Sequence, residues 1–164
     1  MDPSNAIWQR DLSISHERMG DFLQAQGDLS GALAEHRAAL AISERLAAMD
    51  SSSTVQQHEL WLSRLKVGSV LRAQGDLSGA LTEYRAALAI AERLAAEPFS
   101  TRGQRDLWVT CWMIGDALER SSDPTALEWW QRAYGILSDM KGAGLYISPA
   151  DEQYYETLRQ KLGQ

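Results

Sequence analysis

Cysteine is almost missing from this chain. Cys111 stands alone, so no internal disulfide and no cysteine-based zinc cluster can form. A lone thiol suits a reducing compartment. Histidine occurs only at His16, His36 and His58, in none of the spacings that ligate a metal. No run of about 18 apolar residues and no signal-peptide pattern is present, so the chain reads as soluble and cytoplasmic. Basic residues are outnumbered, 16 Lys and Arg against 22 Asp and Glu, for a formal net charge of −6. Nucleic acid and anionic membrane both need clustered positive charge, so neither is an expected partner. There are only four prolines, all outside helix-like runs. With abundant Ala, Leu, Glu and Arg, the composition favours helix throughout.

What is present is a repeat. Ala25 to Ala48 returns as Ala73 to Ala96, differing only at Ala34/Thr82, His36/Tyr84 and Ser43/Ala91. The period is 48 residues. A worn third copy follows, with Gly115-Asp116 aligning with Gly20-Asp21 and Gly68-Ser69. Ala126-Leu127 aligns with Ala32-Leu33 and Ala80-Leu81 after one deletion. A fixed period of this kind points to stacked copies of one supersecondary unit.

Each copy reads as two helices joined by a tight turn. Leu12, Ser15, Met19 and Phe22 are expected to form the core stripe of the first helix, which runs from Asn5 to Gln26. Gly27 is its stop and Asp28 caps the return helix, Leu29 to Ala48. Thr54-Val-Gln-Gln57 reads as a capping box opening the next helix, to Gln74, and Thr101-Arg-Gly-Gln104 as the third. The third turn has drifted to Ser121-Ser-Asp123-Pro124, with Asp as cap and Pro in first helical position. The expected repeats are 5–48, 53–96 and 100–141, followed by a linker and a capping helix over 142–164. Ser148-Pro149 starts that last helix. Its stripe is Tyr154, Tyr155, Leu158 and Leu162, expected to pack on Trp129 and Trp130. Met1-Asp-Pro-Ser4 resembles the inter-repeat link Met49-Asp-Ser-Ser52, and Pro98 sits in the next link. Either the chain is a piece cut from a longer protein inside such a linker, or it has a natural start there.

Small residues recur at Gly20, Gly68 and Gly115 in the first helices, and at Ala32, Ala80, Ala126 and Ala39, Ala87, Ala133 in the second. A flat ring stands at His36, Tyr84 and Trp130. This pattern resembles the tetratricopeptide repeat (TPR) family over roughly residues 5–141. The resemblance implies an all-α, right-handed superhelix (a solenoid) of three helical hairpins plus a capping helix, with first helices lining its concave side. It also implies a protein-binding scaffold rather than an enzyme, with no cofactor. The family repeat is about 34 residues, so the helices here are longer, similar to those of bacterial multi-repeat members. The aromatic usual near the start of the first helix is replaced by His16, Arg64 and Cys111.

The stripe opposite the core stripe is Arg10, Ile14, Glu17, Asp21 and Gln24. Its equivalents are His58, Leu62, Leu65, Ser69 and Arg72, then Arg105, Val109, Trp112, Asp116 and Glu119. One edge is basic (Arg10, His58, Arg105), the middle apolar, and the other edge mainly acidic, Arg72 excepted. Apolar residues on a stripe that the fold need not bury suggest a partner surface. The expected ligand is a peptide or helical segment with apolar anchors and a basic flank. The family's Lys and Asn carboxylate clamp is absent, since Glu17, Asp21, Leu65, Ser69, Trp112 and Asp116 hold that face. Alternatives are a self-association module, giving a homo-oligomer, or a regulatory repeat domain of a larger signalling protein. No nucleophile, acid/base pair or metal set converges, and the Gly-Asp-Leu-Ser-Gly runs are helix turns, not phosphate loops.

Overall fold

The computed structural model describes residues 5–96 and 100–163. Pro98 and Met1-Asp-Pro-Ser4, on which the linker reading rests, lie outside the described residues. Among the described residues the chain is all-α, with seven helices: α1 (Ala6–Ala25), α2 (Leu29–Met49), α3 (Thr54–Ala73), α4 (Leu77–Leu94), α5 (Thr101–Arg120), α6 (Ala126–Gly142) and α7 (Pro149–Lys161). Consecutive helices pack on one another: α1 on α2, α2 on α3, α5 on α6 and α6 on α7. The chain forms two compact units, one ending at Ala87 and the other beginning at Leu88, so the division falls within α4.

The turns repeat one hydrogen-bond pattern. At the end of α1, Asp28 N donates to Leu23 O and Gly27 N to Gln24 O; Asp76 and Gly75 do the same at the end of α3. This crossed pair uses the carbonyls that a helix end leaves unbonded, and it needs a left-handed residue between. Gly27 (φ 83°) and Gly75 (φ 86°) supply it. At the end of α5 the position falls to Ser122 at φ 58°, a conformation that costs a side-chain-bearing residue about 1–2 kcal/mol. Asp28 and Asp76 then cap α2 and α4 by accepting from Gly31 N (2.9 Å) and Gly79 N (2.8 Å).

Three caps differ from the sequence reading. Ser53, not Thr54, caps α3, accepting from Gln56 N. Ser100, not Thr101, caps α5, accepting from Gly103 N. In both cases the serine one position earlier is still extended or non-helical and leaves the threonine as first helical residue. Asp123 does not cap α6. It closes a turn onto Thr125 N (2.9 Å), and the helix begins at Ala126.

The repeated glycines meet the repeated rings. A Cβ placed on Gly20 would sit 2.6 Å from the His36 ring, one on Gly68 2.5 Å from Tyr84, and one on Gly115 3.0 Å from Trp130. Each first helix thus presses bare backbone onto a ring of its return helix. Around these crossings the small residues are sealed: Ala32, Ala39, Ala80, Ala87 and Ala133 are all fully buried.

The core stripe expected on α1 is not a core stripe. Leu12, Met19 and Phe22 are 50, 49 and 57% exposed, and Ser15 is exposed too. The buried face of α1 instead carries Ser13 and Gly20, because only small residues let α2 approach. One period on, the same positions are Leu60, Ser63, Val67 and Val70 of α3. There Val67 and Val70 are 1 and 0% exposed, and Ser63 Oγ lies 3.1 Å from Ser43 Oγ of α2. The face that α3 turns onto α2 has no preceding helix to meet in α1 among the described residues.

Gly103 marks another close approach. Its added Cβ would lie 2.2 Å from Leu94 O, a backbone atom that cannot swing away. Gly103→Ala should therefore cost about 3 kcal/mol, and Gly115→Ala, against a ring at 3.0 Å, about 1 kcal/mol. Urea unfolding monitored by circular dichroism checks the order; equal costs would contradict the backbone-contact account.

Candidate partner-binding faces

In the first unit α1 and α3 share a strip of side chains. Arg10 reaches Glu59 at 2.7 Å, Ser63 Oγ donates to Glu17 Oε1 at 3.0 Å, and Lys66 reaches Asp21 at 2.6 Å. These ties run in the same order along both helices. Ile14 falls between Arg10 and Asp21 on α1, and Leu62 between Glu59 and Lys66 on α3. Ile14 is 37% exposed and Leu62 half-buried, so the strip presents an apolar step bracketed by two ion pairs. The basic edge expected from Arg10 is neutralised by Glu59, which lies on the neighbouring helix and outside the stripe. Burial raises the Glu17 carboxyl above its usual range; the Ser63 hydrogen bond and Lys66 oppose that.

The other expected residues of this unit separate into surface and core. His58 is half-buried and stacked on Trp61, ring centroids 5.1 Å apart. Ser69 and Arg72 are half-buried. Leu65 is buried at 5% and belongs to the core, because α3 is flanked on two sides where α1 is not. As an anchor for a partner it is out of reach in this structure.

In the second unit α7 stands on α5 much as α3 stands on α1. Arg105 holds Asp151 by two hydrogen bonds of 3.0 and 3.2 Å, in the position Arg10 takes toward Glu59. Tyr154 packs on Trp112 with centroids 4.7 Å apart, and Lys161 reaches Glu119. Three of the five residues expected on this face, Arg105, Trp112 and Glu119, are therefore engaged by the last helix. Trp112 also meets Trp130 edge-on at 4.8 Å. Val109 is half-buried, and Asp116 is half-buried with Arg120 at 2.9 Å. The last helix covers Trp108 and Trp112 through Tyr154 and touches Trp130 through Lys161. Trp129, expected beneath it, instead carries the Arg132 guanidinium 5.6 Å from its ring. The difference follows from α7 lying along α5 as well as α6.

The lone thiol is a core residue. Cys111 is fully buried, and burial pushes its thiol up to about 12, far from a reactive thiolate. Among the described residues no group of three or more His, Cys, Asp or Glu could hold a metal ion. No described helix is long and apolar enough to cross a membrane. Where the family aromatic is replaced, polar pairs serve: His16 with Glu35 at 2.6 Å and Arg64 with Glu83 at 2.8 Å, one period apart.

Against known proteins, the family profile described as tetratricopeptide repeat matches residues 62–96, from within α3 to just past the end of α4. Over those residues the chain is similar to a tetratricopeptide repeat. A solved structure similar to it is the N-terminal domain of stress-induced protein-1 (STI-1) from C. elegans. The TM-score is 0.54 at 14% identity, over 92% of this chain and 97% of that one. No curated protein matches. The hairpins thus have the fold of this repeat class. Repeats of this family generally act in protein interaction rather than catalysis, which supports a scaffold role in general terms.

His36 gives the repeat a measurable signature. It is 1% exposed, its ring nitrogens have no hydrogen-bond partner among the described residues, and Asp21 Oδ1 lies 3.6 Å away. Burial lowers its pKa, aided by Lys66 and opposed by Asp21 and Glu35. A base depressed in the folded state leaves stability intact above its unfolded pKa of about 6.5; that stability drains away as pH falls below. His36→Tyr, the residue of the next repeat, should flatten the melting temperature between about pH 6.5 and pH 5 relative to the parent. Parallel curves for the two proteins would refute this.

Proposed function

We propose that the protein is a scaffold whose repeats bind a peptide or short helical segment of a partner on the face made by successive first helices. The expected binding set is Arg10, Ile14, Glu17, Asp21, His58, Leu62, Leu65, Ser69, Arg72, Arg105, Val109, Trp112, Asp116 and Glu119. Within it the energetic centre is the step of Ile14 and Leu62. The observation that carries this reading is that step itself: two apolar side chains left accessible between the Arg10–Glu59 and Asp21–Lys66 pairs. A partner with one or two apolar side chains covers the step. The flanking ion pairs select its register more than its affinity, because exposed pairs contribute only about 0–1 kcal/mol each. Leu65 supports the strip from beneath. A cytoplasmic setting is part of the same proposal, resting on the lone buried thiol.

Panning a displayed peptide library on the folded chain tests it. Selected peptides should weaken at least about tenfold on Ile14→Asp or Leu62→Asp, a loss of about 1.4 kcal/mol or more. They should be indifferent to Leu12→Asp, on the opposite face of α1. Peptides that ignore both inner substitutions while circular dichroism shows an intact fold would defeat the reading.

A further inference from the structure

The bare face of α1 is a second surface, distinct from the strip of Ile14 and Leu62. Trp8, Leu12, Ser15, Met19 and Phe22 are spaced four, three, four and three residues apart. That is the 3.5-residue seam of a helix built to pack along another helix. All five are exposed, Trp8 at 47%, although the matching face of α3 is buried on α2. Ser15 does not spoil the seam, since its hydroxyl donates to Asp11 O of its own helix at 2.9 Å.

Charge identifies the occupant. Asp11 and Arg18 lie one heptad apart, each immediately before a seam residue, and both are exposed without an ion pair among the described residues. We propose that α1 pairs with α1 of a second copy of this chain, antiparallel about a two-fold axis. Antiparallel packing sets Leu12 across from the partner's Ser15 and Trp8 across from the partner's Met19. It also brings Asp11 beside the partner's Arg18 and Arg18 beside the partner's Asp11, two ion pairs from one self-complementary patch. Parallel packing would offer Asp11 only His16, which Glu35 already holds at 2.6 Å. One helix face per chain is a small interface, so the dimer belongs to the weak, exchanging class.

Sedimentation equilibrium of the full chain across a broad concentration series tests this. The parent should be a concentration-dependent dimer. Asp11→Arg alone and Arg18→Asp alone each place like charges together and should weaken dimerisation about tenfold. Asp11→Arg and Arg18→Asp combined in one chain should restore it. Mixing the two single variants should give a heterodimer that neither forms with itself. The two positions exchanged are exposed in the folded chain, and unchanged circular dichroism melts confirm the fold. A parent that stays monomeric, single variants that dimerise like the parent, or a mixture that fails to pair would each overturn the proposal. Monomeric parent would mean that this face is met by some other helix.

Discussion

A ring laid on bare helix backbone is the contact on which each hairpin depends. Gly20 under His36 and Gly68 under Tyr84 leave no space for a methyl group unless the ring shifts, and Gly115 under Trp130 leaves barely enough. Removing the side chain from one helix brings its backbone within van der Waals range of a large flat surface on the other. Many weak dispersion contacts follow at once. The alanines that flank each ring are fully buried for the same reason. Glycine costs about 0.5–1 kcal/mol in a helix interior, and the close packing offsets it.

Within each unit, helices that lie side by side are then tied by polar contacts that set register. Arg10 with Glu59 and Lys66 with Asp21 tie α1 to α3; Arg105 with Asp151 and Lys161 with Glu119 tie α7 to α5. Such pairs contribute little to stability when exposed. Their regular spacing along both helices fixes which turn lies beside which. Beneath them runs a buried chain of hydroxyls, Ser13, Ser43 and Ser63, ending on Glu17. At Ser43 the two near-identical return helices differ, α4 having Ala91. A hydroxyl chain needs every member paired, and Ser43 is the member that links α1 and α3 through α2.

Much of this was legible from residues alone. The 48-residue period, the Gly-Asp turns, the glycine and ring positions and the helical class follow from local chemistry repeated in order. A left-handed turn needs glycine, a cap needs a short oxygen-bearing side chain, and a crossing needs a missing side chain. Gly103 was harder to read: it resembles an ordinary residue in a capping sequence. Only the carbonyl of Leu94 overhead shows why nothing larger fits. In the matching place α3 has Gln56, whose side-chain amide lies beside Leu46 O, so one site is solved by deletion and its counterpart by a polar side chain.

Periodicity finds that a helix has an apolar face but not whether that face is covered. By its own letters the chain determined where helices begin, end and cross, because those depend on neighbours a few residues away. Tertiary structure alone decided that Leu12, Met19 and Phe22 are left uncovered by the rest of the chain while Val67 and Val70 are not. It also decided that Trp112 lies against Tyr154 and that Leu65 is core. The same stripe is core or surface according to whether another helix lies alongside, and that depends on how many elements stand on each side of it.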